Sequence, residues 1–131
     1  MKTRLLLVLI LLFTYNISYS QNYTNDTFQS NWLEYNFGEV IVGDSCSCVL
    51  TLKNLTAETL TVEYLITSCN CVSASINKKK IKPGKTAIVS IRFNSNGKSL
   101  GTIEQSIYVG LDKKRIYNFK VTATLIEQLA N

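Results

Sequence analysis

Between Tyr35 and Leu125 apolar residues recur at every second position, turn residues interrupt them about every eight to twelve positions, and no segment carries a convincing 3.6-residue period. A chain patterned this way buries one face of each segment only by stacking sheets. "CSCVLTLKN" shows the rule, with Cys46, Cys48, Leu50 and Leu52 on one face and Ser47, Val49, Thr51 and Lys53 on the other. Both cysteines therefore point inward with the leucines. "TLTVEYLITS" is expected to put Leu60, Val62, Tyr64 and Ile66 on one face and Leu65 on the opposite one. Val89, Ile91 and Phe93 form the inward face of a later strand, as do Ile103, Ile107 and Val109, and then Tyr117, Phe119, Val121, Ala123 and Leu125. Pro83-Gly84 and Asn96-Gly97 mark turns, the second suited to the positive φ that tight hairpins need.

Six or seven such strands in about 100 residues predict an all-β fold, an Ig-like antiparallel β-sandwich of about seven strands. A small closed barrel is the alternative. The antibody-type Cys-Trp-Cys spacing is missing, and Trp32 precedes the main strands. The boundaries read as a signal peptide over 1–20, a flexible polar leader over 21–33, the sandwich over 34–127 and a C-terminal tail over 128–131.

The N-terminus supplies the compartment. Lys2 and Arg4 precede an apolar run from Leu5 to Phe13, and a polar stretch ends in "SYS" before Gln21. That is the pattern of a secretory signal removed near Ser20, and the run is far shorter than the roughly 20 residues of a membrane span. No cysteine ends the run, so the lipid-anchor pattern is missing, and the expectation is a periplasmic or secreted protein without a transmembrane segment. Losing Lys2 and Arg4 takes the formal charge from +5 to +3, too mild a balance to argue for nucleic acid. The basic run from Lys78 to Lys82 reads as a solvated loop.

Catalytic constellations are missing from the sequence. The chain has no histidine, which removes Ser-His and Cys-His dyads and the ordinary proton shuttle near neutral pH. Its nine acidic residues are scattered, and it has no Gly-rich phosphate loop. No enzyme, cofactor or small-molecule substrate is therefore expected.

"YNFGEVIVGD", then "LTLKN" and "SCNC", then "IKPGKTAIVSIRFNSNGKSLG" fall in one order and spacing. In these motifs the chain resembles the bacterial family called domain of unknown function 1573, over roughly Tyr35 to Gly110. The resemblance implies a secreted or lipid-anchored Ig-type sandwich and no established activity. Asn70 replaces the family's glycine between the paired cysteines, and "NLTAE" replaces an Asn-Thr-Gly turn. Cys46 and Cys48 stand where members commonly have an aliphatic and a polar or histidine residue.

All four cysteines lie in two Cys-x-Cys pairs, "SCSC" at 45–48 and "SCNC" at 68–71. Within a regular strand the Cα atoms of Cys46 and Cys48 are about 6.6 to 6.8 Å apart, at the limit for a disulfide. Bridging Cys69 to Cys71 is an unusual choice, because it closes an eleven-atom ring through Asn70. If the strand after Cys46 runs out and the next returns to Ser68, the pairs meet at one end of the domain. Cross-strand bridges are then favoured, as Cys46–Cys71 with Cys48–Cys69 or as Cys46–Cys69 with Cys48–Cys71. The first would close a loop of about 20 to 26 residues and contribute about 3 kcal/mol. The alternative is a soft-metal site for Cu(I) or zinc on the thiolates of Cys46, Cys48, Cys69 and Cys71. A redox-active pair is the third option; such sites use a helix N-terminus, a neighbouring cation or a histidine to activate a thiol, and this all-strand chain shows no helix or histidine to do so. The expected function is an exported binding or structural module that contacts an unidentified protein partner in the cell envelope, stapled by disulfides.

Overall fold

The computed structural model describes residues 21–129. The signal-peptide expectation for residues 1–20 lies outside them, as do the last two residues of the expected tail. Eleven strands follow in order: β1 Tyr23–Thr24, β2 Phe28–Ser30, β3 Glu34–Ile41, β4 Ser45–Asn54, β5 Leu60–Thr61, β6 Tyr64–Thr67, β7 Val72–Ile76, β8 Lys80–Ile81, β9 Thr86–Asn94, β10 Gly101–Gly110 and β11 Ile116–Ile126. Seven strands have four residues or more; six of them fall in the segments that alternate in the sequence, and β7 is the one that the sequence reading did not single out. One sheet has the order β1-β2-β4-β9-β7, the other β3-β11-β10-β6, and β5 pairs with β8 in a small third sheet.

Burial alternates as the sequence dictates along β4, β9 and β11. Along β4 the inward Leu50 and Leu52 are fully buried, and β9 presents Val89, Ile91 and Phe93 beside them. Ile107 and Val109 of β10 and Phe119, Val121 and Leu125 of β11 close the core from the other sheet. Gly97 has φ +72° in the turn between β9 and β10, where the Asn-Gly pair predicts a turn, but the two strands lie in different sheets, so this turn links the sheets and closes no tight hairpin. One pairing departs from an all-antiparallel arrangement: β3 runs parallel to β11, so the chain returns to its own start at this edge. Between Asn36↔Thr122 and Glu39↔Thr124 two residues of β3 oppose one of β11. Gly38 takes φ +74° in this bulge, which gives the Phe-Gly of the opening motif a backbone role.

Two expectations are corrected. The leader is not free over 21–33: β2 pairs with β4, and Phe28 and Trp32 are buried. Trp32 Nε1 donates to the Val49 carbonyl at 2.9 Å, and Asn31 accepts the Thr51 N–H at 2.9 Å. Two apolar rings in a polar stretch have no period to detect, yet they cover a sheet face that would otherwise be wet. "TLTVEYLITS" is likewise not one strand. It breaks after Thr61, and the faces invert beyond the break, leaving Ile66 52% exposed while Leu65 packs against the core. The first half pairs with β8 and the second with β10, so different sheets set their orientations.

Candidate functional site

Inward alternation does bury the first cysteine pair as expected. Cys46 is half-buried and Cys48 buried on β4, opposite Phe93 and Ile91, and neither forms a disulfide. The second pair sits in the crossover that carries the chain from β6 in one sheet to β7 in the other. The Ser68 N–H donates to the Ser106 carbonyl at 2.9 Å, and the Cys71 carbonyl accepts the Asn94 N–H at 2.8 Å, so both sheets clamp the turn. The Cys69 carbonyl accepts the Val72 N–H at 3.1 Å, closing a tight turn with the Cα atoms of Cys69 and Cys71 5.1 Å apart. Cys69 and Cys71 are bonded to each other.

The cross-strand bridges favoured from sequence are therefore replaced by a bridge within "SCNC". The two pairs do lie at the same end, because Cys46 and Val72 are both register partners of Phe93. But β9 stands between β4 and β7, and β6 belongs to the opposite sheet. Two inter-strand spacings separate Cys46 from the level of Val72 by about 9.5 Å, beyond the roughly 6.8 Å a disulfide spans. The four-thiolate metal alternative meets the same obstacle: among the described residues no group of three or more His, Cys, Asp or Glu is arranged to hold an ion. A ring over three residues also constrains the unfolded chain little, by about 1 to 2 kcal/mol in the loop-entropy picture.

The thiols on β4 are electrostatically quiet. Burial, and after it the neighbouring Cys46, pushes the Cys48 thiol up to about 12, and burial raises Cys46 as well. In the unfolded chain these groups ionise near 9.0. The unfolded state then releases its protons first, so their contribution to stability is full below 9.0 and is lost as pH climbs toward about 12. Thermal melts across that range should show the melting temperature falling, and Cys48→Val should flatten the fall while Cys46→Val changes it less.

One residue missed in the sequence changes the picture of the second pair. Lys98, half-buried after the Asn96-Gly97 turn, places Nζ 3.4 Å from Cys69 Sγ. The Cys71 N–H points at the same sulfur at 3.0 Å. The signal was present in "NSNGK", but only the β9–β10 connection between the two sheets brings it to the crossover 29 residues away in sequence.

Beside this crossover the sandwich is open. β7 ends one sheet and β6 the other, and between them runs a groove of about 300 Å³ lined by Val62, Glu63, Tyr64, Leu65, Ala74, Ser75, Ile76 and Lys79. Hydrogen bonds from Asn77 N to the Ile88 carbonyl and from Asn94 N to the Cys71 carbonyl fix the parity of β7 against β9. Odd residues face β9, so the N–H and C=O groups of Ala74 and Ile76 point to the free edge. A second depression, about 350 Å³ on the outer face around Ser47, Ser73, Ser75, Ser90 and Arg92, holds no carboxylate.

Residues 28–125 match the family described as Protein of unknown function (DUF1573). The chain belongs to this family. No functionally curated protein matches it. Among solved structures, a protein of unknown function from Porphyromonas gingivalis W83 is similar at TM-score 0.65 and 18% identity, covering 86% of this chain and 51% of that one. This DUF1573 chain thus spans about half the length of that protein. A family 123 glycoside hydrolase from Clostridium perfringens is similar at TM-score 0.63 and 14% identity, over 74% of this chain and 23% of that one. The ASH/PapD-like domain 7 of human CEP192 is similar at TM-score 0.57 and 11% identity, over 87% of this chain and 98% of that one. At these identities the likenesses show the fold, an all-β Ig-like sandwich.

Proposed function

We propose that this DUF1573 chain is an exported module that binds protein partners of the cell envelope by accepting an extended segment along β7, without catalytic turnover. The observation that supports it is the free edge of β7, where unpaired backbone groups of Ala74 and Ile76 adjoin an apolar groove. Main-chain hydrogen bonds along an edge give affinity to any extended segment, and pockets for alternate side chains select among them. The segment that fits has apolar residues at alternate positions, for Val62, Leu65 and Ile76. It has acidic residues on its flank, because Lys79 lines the groove and its sequence neighbours Lys78, Lys80 and Lys82 are exposed. Export rests on the pattern of Lys2, Arg4 and the apolar run to Phe13. Among the described residues no helix is long and apolar enough to cross a membrane.

Proline separates the two sides of β7. Ala74→Pro removes an N–H aimed at the free edge, so the fold should keep its stability while the added strand loses a bond and its fit. Ser75→Pro removes an N–H aimed at β9 and should cost about 2 to 3 kcal/mol. A photo-crosslinking residue at Ile76, irradiated in cells, should give a discrete protein adduct that Ala74→Pro abolishes without moving the melting temperature. An adduct indifferent to Ala74→Pro, or no adduct, overturns the edge as the binding site.

A further inference from the structure

The crossover carries more than a staple would need. Of the two bonded sulfurs, Cys69 Sγ has the Lys98 ammonium at 3.4 Å and the Cys71 N–H at 3.0 Å. Among the described residues no polar group approaches Cys71 Sγ in this way. Both neighbours favour negative charge on Cys69, as cations and backbone donors do at reactive thiols. The bridge ties together only residues 69 and 71, on a turn already clamped by hydrogen bonds to β9 and β10, so opening it leaves the sandwich connected. Asn70 and Ser68 are exposed and both cysteines are half-buried, so a small thiol can reach the bond.

We propose that Cys69–Cys71 is a redox-active disulfide that accepts two electrons from a protein dithiol, with Cys69 released as a thiolate beside Lys98. A thiolate of the dithiol attacks Cys71 Sγ, forming a mixed disulfide and expelling Cys69, the sulfur whose charge is stabilised and which therefore leaves faster. The second thiol of the partner gives its proton to solvent and attacks the partner's own sulfur in the mixed bond. The partner leaves as a disulfide and Cys71 leaves as a thiolate that takes a proton from solvent. Two electrons have moved from the partner to the Cys69/Cys71 pair, and the partner's two thiol protons are balanced by those taken up or released to solvent. Cys46 and Cys48 play no part, because they lie across β9 with their thiols held neutral.

The test is equilibration of the full chain with mixtures of reduced and oxidised glutathione, with the reduced fraction read by alkylation and mass. Lys98→Met should make the disulfide about tenfold harder to reduce, equivalent to about 30 mV for a two-electron couple. Lys98→Arg should restore it, and neither change should move the melting temperature of the oxidised protein. In Cys71→Ser, the pH midpoint for alkylation of Cys69, read by peptide mapping, should rise when Lys98→Met is added. An exchange equilibrium unchanged by Lys98→Met, or a Cys69 midpoint unmoved by it, would overturn the proposal. A change of melting temperature in step with the exchange constant would do so too, by assigning Lys98 a merely structural part.

Discussion

Asn54→Ala is expected to lower the stability of the sandwich by about 3 to 4 kcal/mol and its melting temperature by roughly 15 °C. Asn54 is 1% exposed, and its side chain is fully satisfied. Nδ2 donates to the carbonyls of Glu58 at 2.7 Å and Ile81 at 2.8 Å, while Oδ1 accepts the Thr56 N–H at 2.8 Å and the Thr56 hydroxyl at 2.7 Å. Its backbone adds bonds to Lys85 and Gly84 at 2.9 Å. One amide thus joins the end of β4 to the β5–β8 pair, and truncation leaves buried groups without partners. Urea denaturation of the wild type, Asn54→Ala and Asn54→Asp checks this. Asp keeps an oxygen to accept the two Thr56 bonds but cannot donate to the Glu58 and Ile81 carbonyls and buries a charge, so it should be no better than Ala. A loss under about 1 kcal/mol for both variants would mean that water replaces the amide at no cost.

Phe93→Ala should cost about 4 kcal/mol, the range for deleting a buried aromatic ring. Phe93 is 1% exposed in the middle strand between Cys46 and Val72, and it stacks on Phe37 of the facing sheet at 6.3 Å with planes 22° apart. The cavity would open at the end of the sandwich that holds the cysteines. Besides lower stability, faster alkylation of Cys46 should follow, read by mass at neutral pH. Unchanged alkylation with the full loss of stability would show that the neighbouring side chains collapse into the space.

Alternation made most of the core legible. Leu50, Leu52, Val89, Ile91, Phe93, Phe119, Val121 and Leu125 face inward as their spacing requires, because a half-buried strand has only one way to keep them from water. The same logic failed at Ile66 and Leu65. A two-residue break at Val62 and Glu63 lets the chain change sheets, and periodicity carries no phase information across such a break. Phe28 and Trp32 were illegible for a related reason: single aromatic anchors in a polar stretch have no neighbours to form a pattern.

The candidate site divides in the same way. That Cys46 and Cys48 are inward, and that the two pairs share one end of the domain, followed from strand parity and chain direction alone. Which cysteines bond did not, because it depends on which strand lies between them. Sequence neighbours in a sandwich need not be sheet neighbours, since β9 pairs on both sides with strands that precede it in the chain. Lys98 belongs to the same class. Its contact with Cys69 spans 29 residues and exists only because two connections between the sheets, β6–β7 and β9–β10, meet at the same rim.

The local pattern of apolar and turn residues by itself determined an all-β sandwich, the inward faces of its long unbroken strands and its Asn-Gly turn, because burial and backbone sterics act within a few residues. Only the tertiary structure decided the order of strands, the Cys69–Cys71 bond, the cation beside it and the open edge at β7. Those features are distances between segments far apart in the chain, and they are fixed when the sheets pair and pack.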